Sequence, residues 1–184
     1  MSTAFPGFEG PSASTEAPLE MLAACHARIR RQCATLARLA AHLPTHGSDE
    51  QARSAASGIL RYFDTAAVHH HADEEQDLFP ALIESMAGSD AVCIRNLVAG
   101  LAAEHHDMEA RWQQLRKILQ RIAAGEPAEL SDETVTSFTQ AYARHMQIEE
   151  DEVLPMATRL LSDSQIDRIG RAMRERRGIT DAII

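Results

Sequence analysis

Aromatic residues make up only 4% of this 184-residue chain, and it has seven prolines and nine glycines. That leaves little material for a many-stranded β fold, which relies on aromatic pairs and frequent turns. Cysteine is scarce too: Cys25, Cys33 and Cys93 cannot all pair within the chain, and their spacing fits neither a paired-thiol zinc site nor a small secreted disulfide framework. A reducing compartment is expected. No run approaches about 18 uninterrupted apolar residues, so no membrane partner is predicted. Met1 to Thr15 lacks the basic start and apolar centre of a secretory signal, which makes the cytoplasm the expected location. Positive charge is also short. A net charge of −9 disfavours grip on a phosphate backbone, and nucleic acid is not an expected partner.

What is present is a chain of one-domain length, 45% hydrophobic and 24% charged, with long stretches rich in Ala, Leu, Arg, Glu and Gln. The expected class is all-α. Residues 1–15, rich in Gly, Ser, Pro and Thr around Phe5 and Phe8, read as a flexible N-terminal arm. From Pro18, Leu22, His26, Ile29, Cys33, Leu36 and Ala40 recur at helical spacing, predicting a first helix that ends before Pro44. Asp49 caps a second, with Ile59, Phe63, Ala66, His70, Glu74 and Leu78 in step and a kink at Pro80. A break near Gly88, Ser89 and Asp90 opens a third, from Leu97 through His105 and Trp112 to Ile122, stopped by Gly125 and Pro127. Ser131 or Asp132 caps a fourth, carrying Val135, Phe138, Tyr142, His145, Glu149 and Val153, with a second kink at Pro155. A short fifth helix spans roughly Ser164 to Arg177.

The helices repeat. Leu22-Ala23-Ala24-Cys25-His26 matches Leu101-Ala102-Ala103-Glu104-His105, and the same offset pairs Ile29 with Met108 and Cys33 with Trp112. A nearby offset pairs Phe63 with Phe138, His70 with His145, Glu74 with Glu149, and Pro80 with Pro155. The chain therefore reads as two related helical hairpins. Neither buries its apolar stripe alone, and together they close an antiparallel up-down four-helix bundle with the fifth helix appended.

Polar residues occupy stripe positions on all four long helices: His26, His70 and Glu74, His105, His145 and Glu149. Residues four apart in a helix lie about 6 Å apart along its axis and nearly in line, so each His-x-x-x-Glu presents an imidazole and a carboxylate to one central point. Buried without partners, such groups cost several kcal/mol each. A bound cation removes that cost. A lone histidine on an apolar face is ordinarily a hydrogen-bonded core residue, but four at corresponding places in two repeats point to a metal centre. His71 stands four before Glu75 and satisfies the same geometry; the repeat decides for His70, because the fourth helix reads Arg144-His145-Met146. Glu75, Glu150, Asp73, Asp77, Asp151 and Glu152 read more simply as a solvated acidic face, with Glu75 or Glu150 the alternative bridging or ligand-orienting groups. His42 and His46 read as surface residues, either of which can fold back as an extra ligand. Arg168, Arg171, Arg174, Arg176 and Arg177 read as cations favoured near a helix C-terminus, with an anionic partner or a homodimer contact as the alternative.

Imidazole with carboxylate suits iron, manganese or zinc, and six candidates exceed one tetrahedral zinc site. Two metals sharing carboxylates use them all and leave a coordination position open. Phe63, Met108, Trp112, Phe138, Tyr142 and Met146 surround that position with apolar groups, a setting for a small diatomic ligand rather than a large substrate.

These motifs resemble the hemerythrin-like family, the HHE cation-binding domain, over residues 19 to about 160. They are His26 in its Leu-Ala-Ala-Cys-His run, His69 to Pro80, Glu104-His105, and His145 to Pro155. The resemblance implies a hemerythrin-like bundle over 16–162, followed by a C-terminal helix and tail over 163–184. It also implies a non-haem di-iron centre bridged by carboxylates and an oxo or hydroxo group, with His26, His70, Glu74, His105, His145 and Glu149 as ligands. In oxygen-carrying hemerythrins the third helix supplies two histidines one turn apart, whereas Leu101 and Glu109 flank His105 here. A carboxylate, a water or a remote His such as His46 fills the missing place, and open coordination favours sensing, reaction with oxygen or nitric oxide, or iron handling. The expected function is a binding or sensing module for dioxygen or nitric oxide, or an iron-handling protein, rather than an enzyme. Alternatives are an oxidoreductase acting on oxygen, peroxide or nitric oxide, and a bundle with a structural zinc. Any signalling output is expected to pass through another protein.

Overall fold

The computed structural model describes residues 15–86 and 90–179, and every regular element among them is helical. The expected arm falls outside the described residues except for Thr15, as do residues 87–89 of the expected break and 180–184 of the tail. Helix α1 (Pro18–His46) begins with Pro18 in its first turn, where a missing N–H costs nothing. Contrary to expectation, it runs through Pro44. That proline sits in the last turn, so it forfeits a single bond, while buried Leu43 anchors the turn and Gly47, at φ 63°, ends it by donating to the Leu43 carbonyl.

Helix α2 (Glu50–Phe63) starts from Asp49, whose carboxylate accepts the Ala52 N–H at 2.8 Å. The second predicted helix then breaks at Asp64 and Thr65, a feature that no proline or glycine announces. Asp64 is engaged from outside: its Oδ1 accepts from Trp112 Nε1 at 3.0 Å and from Arg116 Nε at 2.9 Å. Helix α3 (Ala66–Asp73), a widened π turn (Glu74–Leu78) and α4 (Phe79–Glu84) follow. Helix α5 (Asp90–Ala123) is uninterrupted. Helix α6 (Asp132–Ile148) is capped by Ser131, which accepts the Thr134 N–H at 3.2 Å, and leads into a second π turn (Glu149–Val153) and α7 (Leu154–Leu160). Helix α8 (Asp163–Arg176) opens with a capping box between Ser162 and Gln165.

The two predicted proline kinks take the form of the π turns. Pro80 and Pro155 each lack an N–H, and the residue before each donates five residues back, Phe79 to Glu74 and Leu154 to Glu149. The widened turn absorbs the missing bond without ending the helix.

Apolar side chains gather in two clusters. One contains Ile29, Leu36, Phe63, Met108, Trp112, Phe138, Tyr142 and Met146; the other contains Met21, Leu22, Leu78, Leu82, Leu101, Val153, Ile169 and Met173. Each long helical run passes from one cluster to the other, and at the crossing it carries His26, His70 with Glu74, His105, or His145 with Glu149. A polar layer thus divides the core. Helix α8 closes one end by close backbone approach: a methyl group on Gly170 would stand 2.4 Å from the Thr15 carbonyl oxygen. Among the described residues no helix is long and apolar enough to cross a membrane.

Replacing Asp64 by Ala strands the buried Trp112 indole N–H, and we expect a loss of about 1–3 kcal/mol in stability. Trp112 is the only tryptophan, so its fluorescence during urea unfolding reports the change directly.

Candidate metal centre

The polar layer converges on two carboxylates. Glu149 sets Oε2 3.1 Å from His26 Nε2 and Oε1 3.0 Å from His145 Nε2. Glu74 does the same across the layer, with Oε1 3.3 Å from His70 Nε2 and Oε2 3.4 Å from His105 Nε2. Each acid therefore spans two imidazoles from different helices. Donor atoms of His26, His70, Glu74 and Glu149 lie within 4.8 Å of one another, as do those of Glu74, His105, His145 and Glu149. All six side chains are buried. The two sets share their carboxylates, which is the pattern a pair of bridged cations requires.

A fit to cations is written in the unsatisfied atoms. His26 Nε2, His70 Nε2, Glu74 Oε2 and both Glu149 oxygens are buried without a hydrogen-bond partner, although groups of opposite sign stand close by. Two ligand atoms about 2.1 Å from one cation and at right angles to each other stand about 3.0 Å apart, which matches these spacings. Three outward-facing nitrogens are tied down. His105 Nδ1 meets Glu75 at 2.6 Å, His145 Nδ1 meets Glu104 at 2.8 Å, and His26 Nδ1 meets Glu150 at 2.9 Å. A carboxylate on Nδ1 holds the proton there and turns the Nε2 lone pair inward, the orientation a metal ligand needs. Nε2 of His105 and of His145 then face each other at 2.9 Å, an arrangement that requires a proton or a cation between them.

Electrostatics says the same. Burial, reinforced by the neighbouring Glu149 charge, raises Glu74 well above the usual carboxylate range. Burial opposes ionisation of Glu149 as well, but His145 and His26 outweigh it and hold Glu149 well below that range. Burial drives His70 down to about 3 and lowers His105 and His71. His145 is raised, because Glu149 and Glu104 overcome its desolvation. Both raised groups, Glu74 and His145, thus hold a proton more readily than they would in water.

A family model for the hemerythrin HHE cation binding domain matches residues 17–157. The chain belongs to the hemerythrin HHE family. It is also 30% identical over 164 residues to an uncharacterized protein of Haemophilus influenzae, covering 89% of this chain and 92% of that one. Family membership carries cation binding with it, and the paired His and Glu sets are where this HHE domain can hold the ions.

The structure brings all six predicted site residues together, and the two donor sets include His70 and not His71. His71 is nonetheless drawn inward: it stacks on His105 with ring centroids 4.0 Å apart, and its Nε2 has no partner. His42 and His46 stay away, His42 pairing with Asp49 at 3.0 Å and His46 exposed beside it. The solvated-face reading fails at Asp73, which is 1% exposed and ion-paired to Arg176 and Arg177. Asp77, partly buried, accepts from Arg176 at 2.7 Å. Two of the fifth helix's arginines thus find their anions inside the chain, a pairing 99 to 104 residues apart that no local pattern signals. Glu75 and Glu150 each hydrogen-bond the outer nitrogen of a candidate histidine, the contact that the alternative reading of these acids uses. Glu104 does so too and escaped the sequence, since a charge beside a stripe position is ordinarily solvated.

Removing both Arg176 and Arg177 side chains leaves Asp73 buried without a counter-charge. We expect the R176A/R177A chain to lose about 3–5 kcal/mol, read by chemical denaturation. The metal-free chain should also show a pH optimum. Raised groups, Glu74 and His145, withdraw stability as pH climbs above their ordinary values, while lowered His70, His71 and His105 withdraw it as pH falls below 6.5. Melting in chelator should therefore peak near pH 6.5, and a supplied divalent cation should reverse the alkaline limb by replacing the two protons.

Proposed function

We propose that this chain is a non-haem di-iron protein that binds or senses a small neutral molecule such as dioxygen or nitric oxide, or handles iron. The observation carrying this reading is the sharing of Glu74 and Glu149 between two four-residue donor sets. His26 and His70 would hold one cation, His105 and His145 the other, with both carboxylates bridging. A donor set of imidazole and carboxylate without thiolate suits iron, with manganese or zinc as competitors. Buried Cys25, beside His26, belongs to neither set and lies 3.7 Å from Arg28 Nη1.

When bound, the iron pair would supply reversible electron exchange and an open coordination position. The chain's own residues do the rest. Rim carboxylates aim the imidazoles, and four protein donors per cation leave room for more in an octahedral shell. Phe63, Met108, Tyr142 and Met146 on one side, with Leu78, Phe79 and Leu101 on the other, give the layer apolar neighbours, and such surroundings favour a small neutral ligand over a charged one. We further propose the antiparallel up-down four-helix arrangement. The order in which successive helical runs meet the two apolar clusters alternates, which supports it.

Metal analysis of aerobically purified protein, with an optical spectrum before and after dithionite, tests the reading. Two irons per chain and near-ultraviolet absorption that bleaches on reduction are expected. The double variant H70A/H145A should lose metal while keeping most of its helical circular dichroism; normal loading in that variant would sink the ligand assignment.

A further inference from the structure

The two donor sets are alike inside and unlike outside. Behind His105 and His145 stand Glu75 and Glu104, at 2.6 and 2.8 Å from the respective Nδ1 atoms, and neither acid has a described contact with an Arg or Lys. Behind His26 stands Glu150 at 2.9 Å, but its two oxygens also take a forked pair of bonds from Arg30, at 2.8 and 2.7 Å. His70 differs again: among the described residues its buried Nδ1 has no hydrogen-bond partner.

Carboxylates hydrogen-bonded to a ligating imidazole raise its basicity and add negative charge near the ion. One side of the layer has two such acids uncompensated, whereas the other has one acid whose charge a guanidinium offsets. Resting on the two-cation reading above, we propose that the positions are unequal: the His105/His145 position fills first, binds most tightly and favours the more highly charged ion, and the His26/His70 position fills second and exchanges. Arg30, Glu75 and Glu104 are positioning residues that set this order without touching the ion.

Calorimetric titration of the metal-free chain with Co(II) separates the two claims. Two one-equivalent steps, with dissociation constants at least about tenfold apart, are expected from the size of such outer-partner effects. H105A should remove the tight step and H26A the weak one. E75Q/E104Q should weaken the tight step about ten- to hundredfold, and R30Q, whose partly exposed side chain makes misfolding no explanation, should tighten the weak step. Two indistinguishable equivalents, or loss of the weak step in H105A, would overturn the inequality and leave the paired-cation reading intact. Fewer than two equivalents in the unaltered chain would overturn the paired-cation reading itself.

Discussion

Two carboxylates facing one another in a dry core govern this protein. Glu74 and Glu149 are each about 98–99% shielded from water, and a side chain of that kind is costly to ionise without compensating charge. Four imidazoles surround them, yet Glu74 Oε2, both Glu149 oxygens and the Nε2 atoms of His26 and His70 make no well-formed hydrogen bond. The arrangement is complete only when positive charge occupies the middle. A cation suits that place, because one ion satisfies several lone pairs at once.

Much of the remaining structure follows from holding that layer in place. The apolar side chains cannot form one continuous core across it, so they form two, each sealing one face of the layer. The π turns begin at Glu74 and at Glu149, which ties the local backbone change forced by Pro80 and Pro155 to the two residues that span the histidine pairs. An outer ring of Glu75, Glu104 and Glu150 fixes which imidazole nitrogen faces inward. Beyond that ring, Arg176 and Arg177 reach back to Asp73, the residue preceding Glu74, so the last helix braces the segment that carries one of the shared acids.

Family membership and geometry meet at cation binding and diverge in detail. Flanked by Leu101 and Glu109, His105 is the one histidine that α5 contributes to the donor sets, and His71, stacked against its ring, lies in neither set.

The helices, their caps at Asp49 and Ser131, the duplication and the six inward polar residues were legible from spacing alone, because helical periodicity converts separation along the chain into direction in space. Where two halves share a period, as at His70 and His145, the repeat even chose between adjacent histidines. Interactions between residues far apart in sequence were not legible. The break at Asp64 answers to Trp112 and Arg116, the burial of Asp73 to Arg176 and Arg177, and the outer role of Glu104 to His145. Only the packed chain decides which acid meets which base, since a charged side chain reads the same in sequence whether it ends in water or against a partner brought to it from a hundred residues away.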